Sequence, residues 1–356
     1  MDKVKVAIAG VGCCASSLVQ LVYYSRGNNK NGIMFDKIGK YSPSDIEFCL
    51  GFDVTDEKIG LDLSEAIFSY PNVAEMHTEV PFLDAEVLPG VCNDGLQGYL
   101  SEKITLSDKC KNIDKQYIVD KLIEKECDVL ICYLPSGSTI DARLYAEAAL
   151  EAKVAFVNCI PEFIARDQRL QKEFELAGVP LLGDDMRSHM GATTIHTALI
   201  ELFQSRGISV DNTYQLNFGG NMDFYNLSDS SRNKSKQSSK KNALNSAGID
   251  ASNVTAGPNG YVDYLNDTKI CYLRIEGTSI LGSSINVELR LDVEDSPNSA
   301  GVVITAVRIA KVAKEKSISQ QKVNEAMACL FKSPYVGKTE SESLKLIRDF
   351  VDETKE

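Results

Sequence analysis

The sequence predicts an α/β protein in which a doubly wound parallel sheet carries an inserted α+β sheet domain. Two observations predict this class. Short apolar runs alternate with amphipathic helical stretches over residues 1–195, whereas period-two alternation dominates residues 213–295. The helical pattern returns at residue 296. We therefore expect one domain from residues 1–195 plus 296–356 and a second, inserted domain from residues 196–295.

Composition excludes several classes of protein. The chain has 356 residues, 44% of them hydrophobic, and 50 acidic against 38 basic side chains give a net charge of −12. Nucleic acid and anionic membrane surfaces both demand the opposite sign, so neither is an expected partner. The sequence has no membrane-length apolar run and no signal-peptide pattern, which predicts a cytoplasmic protein. Its ten cysteines form no CxxC pair and predict buried, reduced thiols.

The first predicted strand leads into a glycine-rich turn. Residues 4–9 (VKVAIA) are β-rich and apolar, and the turn GVGCCA opens an amphipathic helix directly after them. Gly10 permits the tight turn, Gly12 lets the backbone approach a pyrophosphate, and Ala15 is small enough for close helix–sheet packing. An ordinary turn is the alternative. The expected cofactor contacts here are Gly10, Gly12, Cys13, Cys14 and Ala15.

An acid at the end of the second predicted strand completes a dinucleotide-binding pattern. Asp53 follows the apolar run of residues 46–52, where a carboxylate accepts from the ribose hydroxyls, and with no arginine beside it NAD is favoured over NADP. A loop aspartate is the alternative. Later strands end near the crevice at the carboxyl edge of the sheet. The cofactor contacts expected there are Pro135, Ser136, Asn158 and Asp185.

The inserted region reads as an antiparallel sheet with one covered face. Residues 213–224, 269–279 and 285–295 alternate polar and apolar side chains. Between the first two lies residues 228–242, SDSSRNKSKQSSKKN, with five basic groups against one acid. Such a stretch is either a solvated linker or a segment that folds over a bound phosphate.

Two helices are predicted around this sheet. The stretch of residues 186–207 places His189 and His196 on one helix face, as core histidines more readily than metal ligands, and the sequence shows no autonomous metal motif. A second helix follows from Ser296, with Ser and Asn before an apolar stripe and lysines in its last turn.

Several motifs together resemble the inositol-phosphate synthase family, in its compact archaeal and bacterial branch. They occur in the right order over nearly the whole chain: GVGCCASSLVQ, YLPSGS, GDDMRSHMGATTIH, QLNFGGNMDFYNL, SKQSSK, LRIEG and VEDSPNSAGVVITAVRIAK. The resemblance implies that D-glucose 6-phosphate becomes 1D-myo-inositol 3-phosphate by NAD-dependent oxidation at C5, enolisation, aldol closure and re-reduction. It also implies a homotetramer that serves inositol and phospholipid biosynthesis, and some members need a divalent or monovalent cation.

Motif matching also implies a set of site residues. The catalytic residues implied are Lys236, Lys240, Lys269, Lys332, Asp223 and Asp295; Ser296 and Ser299 join the cofactor contacts. Lys269 and Lys332 would contact the C5 oxygen or the phosphate, and Lys236 and Lys240 the phosphate and the enolate. The two acids would orient the lysines and the substrate hydroxyls. The alternatives are solvated surface lysines, and turn or cap roles for the acids, including a helix cap at Ser296.

One position departs from the family pattern, and other functions stay open. The family's Lys-Ser after GDD reads Arg187-Ser188 here, where a guanidinium could still hold a phosphate in bidentate fashion. An ordinary NAD-dependent dehydrogenase is one alternative, and it would release NADH stoichiometrically. A non-catalytic NAD sensor and a relative that makes another cyclitol are the others.

Overall fold

The first sheet is parallel and has the strand order of a dinucleotide-binding fold. The computed structural model describes residues 2–27, 29–233, 236, 238, 242 and 254–355, of which residue 255 contributes backbone only. The strands are β1 (Val4–Ala9), β2 (Ile46–Asp53), β3 (Val87–Pro89), β4 (Val129–Cys132), β5 (Ala155–Asn158) and β6 (Leu181–Leu182). Their order is β3-β2-β1-β4-β5-β6, which confirms the doubly wound prediction. The sequence did not predict β3, a three-residue edge strand that ends at a proline.

Helices connect the strands of the two sheets, and in the described part of the chain three further helices follow the last strand in the sequence. They are α1 (Cys13–Arg26), α2 (Leu63–Ala66), α3 (Leu100–Lys103), α4 (Lys115–Glu124), α5 (Thr139–Glu151), α6 (Gln168–Ala177), α7 (Ala192–Ser205), α8 (Met222–Leu227), α9 (Asp295–Glu315), α10 (Gln320–Ala326) and α11 (Glu340–Thr354). Among the described residues, none of these helices is both long and apolar enough to cross a membrane. All ten cysteines are free thiols, and six of them are buried.

The second sheet is mixed, so the prediction of a purely antiparallel sheet is wrong. It consists of β7 (Ser209–Gly219), β8 (Val254–Tyr261), β9 (Thr268–Thr278) and β10 (Ser284–Glu294), in the order β10-β9-β7-β8. The pairs β10–β9 and β9–β7 are antiparallel, as expected, but β8 runs parallel to β7. The sequence of β8, VTAGPNGY, did not predict a strand because proline and glycine weaken the strand pattern. Proline is tolerated there because β8 is an edge strand.

Two predicted element boundaries were wrong for local reasons. Residues 222–224 do not continue β7; Asn221 accepts a hydrogen bond from the Phe224 amide and caps α8. Helix α7 starts at Ala192 after Gly191, so His189 precedes the helix and shares no helix face with His196. Ile200 of α7 packs against the second sheet, where it lies in one hydrophobic cluster with buried residues of β9.

Helix α9 returns the chain to the first sheet. It contacts α1 and strands β1, β4, β5 and β6, and nearly all of its middle residues are buried. The helix begins at Asp295 with Glu294 as its N-cap, so Ser296 lies inside the first turn and the alternative of a helix cap at Ser296 does not apply. The division into domains at residues 195 and 296 stays a prediction.

Candidate active site

A cleft opens at the carboxyl ends of β1 and β2, beside the glycine turn. Gly10 has φ +92°, and a Cβ there would lie 2.6 Å from the Tyr133 carbonyl oxygen, so only glycine fits. Gly12 is the N-cap of the 14-residue helix α1, and apart from its chain neighbours no described residue has an atom within 4 Å of the Cβ position that it lacks. The turn therefore presents open backbone and the N-terminus of a helix to the cleft, which suits an anion such as a pyrophosphate.

Asp53 ends β2 and braces this turn. Its Oδ2 accepts a hydrogen bond from the Val11 amide at 3.0 Å, and its Oδ1 accepts one from the Val54 amide at 2.7 Å. It lines the cleft. Sequence reasoning missed two neighbours that also line it: Lys58 donates to the Val11 carbonyl at 2.7 Å, and Asn72 donates to the same oxygen at 3.0 Å. No motif spacing marks them, because both reach the turn from loops.

Three lysines converge at the other part of the cleft, from the polar stretch, from β9 and from a segment near the C-terminus. Lys332 Nζ lies 3.0 Å from Asp185 Oδ1, and Lys236 Nζ lies 3.4 Å from the same oxygen. Lys236 Nζ is also 3.4 Å from Asp223 Oδ2. Lys269 pairs with Asp295.

These lysines are not solvated surface charges. The side chains of Lys236, Lys269 and Lys332 are only 16%, 15% and 13% exposed. Long cationic side chains rarely occupy such sites without paired acids, and each of them has one. Lys240 lies outside the described residues, as does most of the stretch beyond Asn233.

The acids of the cluster are held in place by the fold. The Asp185 amide donates to the Ile160 carbonyl at 2.9 Å, and its carbonyl accepts from the Lys332 amide at 2.7 Å. This backbone pairing brings the Asp185 carboxylate beside the Lys332 ammonium. At the opposite side, Ser136 Oγ donates to Asp223 Oδ1 at 2.9 Å, so the turn after β4 orients the acid of α8.

Burial and mutual charge set the protonation of the lysines differently. Burial acts to lower the pKa of Lys236, but the carboxylates of Asp185, Asp223 and Asp295 outweigh it and raise the pKa above its ordinary value. For Lys332 burial dominates, Asp185 opposes it, and the neighbouring Lys236 and Lys269 charges add to it, so its pKa is lowered. The cluster thus combines a firmly cationic lysine with one that loses its proton more easily.

Two aspartates, Asp267 buried and Asp295 partly exposed, complete the electrostatics. Burial favours the neutral form of Asp295, but the cations, Lys269 first, outweigh it and lower its pKa. Asp267, which sequence reasoning missed, accepts from Asn221 Nδ2 at 3.0 Å and from Ser296 Oγ at 2.8 Å. Burial, and then the Asp295 charge, raise the pKa of Asp267 to about 6. Its sequence context, NDTK, resembles an ordinary turn and gives no signal.

The remaining predicted contacts divide into two groups. Those that line the cleft are Cys13, Cys14, Pro135, Ser136, Ser296 and Ser299. Ala15 is fully buried in the core. Asn158 is also fully buried, and its Nδ2 donates to Asp184 Oδ1 at 2.7 Å and to two carbonyls. The structure therefore gives Asn158 an internal role and does not place it on the cleft surface.

Two arginines have structural partners. Arg232, in the basic stretch, is buried and donates through NH1 to the Asp94 and Gly137 carbonyls at 2.9 and 3.0 Å. It anchors the start of that stretch to the loops of the cleft. Arg187 is also buried, and its NH2 lies 2.6 Å from Glu340 Oε2 at the start of α11. Its guanidinium is therefore engaged by an acid, and the phosphate-holding role that the sequence left open stays a prediction.

Comparisons with known proteins agree with this geometry. Residues 191–296 match the model of the family described as Myo-inositol-1-phosphate synthase. The inositol-3-phosphate synthase of Mycolicibacterium smegmatis is 46% identical, over 93% of both chains. That of Corynebacterium glutamicum is 43% identical, again over 93% of both.

Solved structures extend the likeness to three dimensions. The crystal structure of a protein named Ari2 superposes with a TM-score of 0.79 at 36% identity, over 99% of both chains. The glycine turn, the paired lysines and the acids occupy one cleft, and identity to curated synthases extends over nearly the whole length. This chain belongs to the inositol-phosphate synthase family.

Proposed function

We propose that this protein converts D-glucose 6-phosphate to 1D-myo-inositol 3-phosphate, with NAD as its cofactor. The observation that carries the proposal is the convergence of three largely buried lysines and their acids on one cleft that also contains the glycine turn. An acidic protein that buries several ammonium groups together has a specific use for positive charge. The curated relatives above are named for this product.

The residues of the turn fit a dinucleotide. Gly10 and Gly12 leave room for a pyrophosphate at the N-terminus of α1, and Asp53 offers a carboxylate edge to the adjoining ribose. Cys14 and Ser296 line the cleft between this turn and the lysines. Bound NAD supplies a reversible hydride acceptor, so an overall isomerisation proceeds without net oxidation.

Lys236 acts as a permanent cation. Removal of a proton beside a ketone, and the carbon–carbon bond formation that follows, both develop negative charge on substrate oxygens. The raised pKa of Lys236 keeps it charged at neutral pH. A preorganised cation in a site that excludes water stabilises such charge much more than water does. We assign Lys236 to the enolate oxygen or the adjoining phosphate.

Lys332 moves a proton. A general base must be neutral, and the lowered pKa of Lys332 favours the neutral amine relative to an ordinary lysine, whereas the raised pKa of Lys236 disfavours it. Asp185 receives both lysines on one carboxylate oxygen and so keeps them side by side. Asp295 holds Lys269 in the same way, at the C5 oxygen or the phosphate.

The decisive experiment incubates purified protein with NAD and glucose 6-phosphate. We expect a cyclic inositol monophosphate, identified by mass spectrometry, ³¹P NMR and chiral chromatography, with no net rise in absorbance at the wavelength of NADH. Protein from which the cofactor has been stripped should form no product unless NAD is added back. Stoichiometric release of NADH would instead indicate an ordinary dehydrogenase. Binding of NAD without turnover would indicate a sensor, and formation of a different carbocycle would indicate a relative that makes another cyclitol.

We further propose that the protein is a cytoplasmic homotetramer that pairs through its second sheet. The face of that sheet turned away from α7 carries Leu216, Phe218 and Tyr272, the last 44% exposed, beside charged side chains such as Arg274 and Glu288. Exposed aromatic side chains interspersed with arginines are enriched at protein–protein interfaces. Light scattering coupled to gel filtration should give four times the 39.0 kDa chain mass; a monomeric mass would contradict the proposal.

A further inference from the structure

A second group of potential ligands lies on the surface, separate from the lysine cluster. One atom each from Glu75, His77 and Glu294 lie within 4.8 Å of one another. His77 Nε2 is 2.7 Å from one carboxylate oxygen of Glu294 and 2.9 Å from the other. Glu294 is far from the other two in the sequence, so only the fold assembles this group.

The loop that carries Glu75 and His77 is held by a buried side chain. Gln20 of α1 is 3% exposed. Its Nε2 donates to the Glu75 carbonyl at 2.9 Å, and its Oε1 accepts from the His77 amide at 2.7 Å. Glu294 is fixed by a different element, because it ends β10 opposite Thr268 of β9. The three donors thus project from backbone that is already positioned, which lowers the entropic cost of bringing them together.

We propose that Glu75, His77 and Glu294 form a binding site for a divalent cation of the Zn²⁺, Co²⁺ or Ni²⁺ kind. An imidazole nitrogen with two carboxylate oxygens suits these metals, whereas Mg²⁺ and Ca²⁺ prefer oxygen ligands alone. Two ligands at about 2.1 Å from one metal are roughly 3.4 Å apart in tetrahedral geometry. His77 and Glu294 lie closer than this, at hydrogen-bond distance, and all three ligand atoms lie within 4.8 Å of one another. The side chains of Glu75 and His77 are exposed, so they can adjust around an ion while water fills the open positions.

The site would join two parts of the cleft. Glu294 is the N-cap of α9 and directly precedes Asp295, the partner of Lys269. On the other side, the Val73 amide donates to Cys13 Sγ at 3.3 Å, so the same loop also contacts the glycine turn. A bound cation therefore ties the loop beside the dinucleotide turn to the strand end that carries Asp295. This inference does not depend on the proposed reaction.

Histidine signals provide a direct test, because the chain contains only three histidines. His189 is half-buried, His196 is buried and His77 is exposed. Zn²⁺ or Co²⁺ titrated into chelator-treated protein should shift one of the three imidazole signals in long-range ¹H–¹⁵N spectra, and that signal should be absent in H77A. Calorimetry should give one ion per chain with imidazole involvement, and E294Q should weaken binding about 10-fold or more.

The control is E79Q, which removes the same charge from an exposed position two residues beyond His77. It should bind the ion as the wild type does, and the ion should raise the thermal midpoint of both proteins but not of H77A. The acids of the lysine cluster could also attract a cation, but no histidine among the described residues is paired with them. Ion binding that leaves the His77 signal unmoved, or that persists in H77A, would overturn the proposal and leave the group as a surface ion pair.

Discussion

Replacing Lys236 with alanine is expected to lower turnover by about 10²–10³-fold while the protein stays folded. The substitution removes the cation that Asp185 and Asp223 hold in the charged state. The fold should persist because Lys332 still pairs with Asp185 and because Ser136 still donates to Asp223. Steady-state kinetics with circular dichroism and thermal melting would measure both effects.

A charge-preserving variant sharpens the first prediction. K236R keeps a permanent cation, so it should recover part of the lost kcat if Lys236 acts only through its charge. The matched control is K338A, since Lys338 is an exposed lysine outside the cluster, and its kinetics should equal those of the wild type. Wild-type turnover in folded K236A protein would remove the assigned role.

Replacing Lys332 with either alanine or arginine is expected to lower kcat by about 10²–10⁴-fold. Arginine keeps the positive charge but does not give up its proton at accessible pH, so it cannot act as a base. K332R should therefore be as impaired as K332A, in contrast to the partial recovery of K236R. The two arginine variants together separate charge stabilisation from proton transfer.

The pH dependence provides a second measurement on Lys332. A base must be neutral, so kcat rises as pH passes upward through its pKa. Burial, with the charges of Lys236 and Lys269 as smaller contributions, lowers that pKa from its ordinary value of 10.5. The rising limb of the wild-type profile should therefore lie below pH 10.5, and it should disappear in K332R. A limb that K332R retains would assign the proton transfer to another group.

The glycine turn and the acid after the second strand could be predicted because both depend on local physics. A left-handed φ at Gly10 needs a residue without a Cβ, and a run of β-rich apolar residues that ends in Asp53 marks a strand end. The parallel sheet follows from the same local patterns repeated along the chain. The edge strand β8 was not predicted, because Gly257 and Pro258 interrupt the alternation of polar and apolar side chains.

The lysine set could be predicted only from motifs that resemble a family, since no local rule distinguishes a buried lysine from a solvated one. Asp267 gave no signal at all, because its role depends on Asn221 and Ser296 in other segments. The same holds for Arg187, whose acidic partner Glu340 lies 153 residues farther along the chain.

The sequence by itself determined most of the strands and helices, the dinucleotide turn and the identity of the charged groups. These features depend on hydrophobic periodicity and backbone sterics, which act between residues that are near neighbours in the chain. Tertiary structure alone decided which charges meet: one carboxylate oxygen of Asp185 for Lys236 and Lys332, and His77 against Glu294. Coulomb interactions depend on the distance between charges in space, burial depends on which residues surround a group, and the pKa of a side chain depends on both. Lysines of the same chemical type therefore acquire opposite shifts in pKa only after the chain has folded.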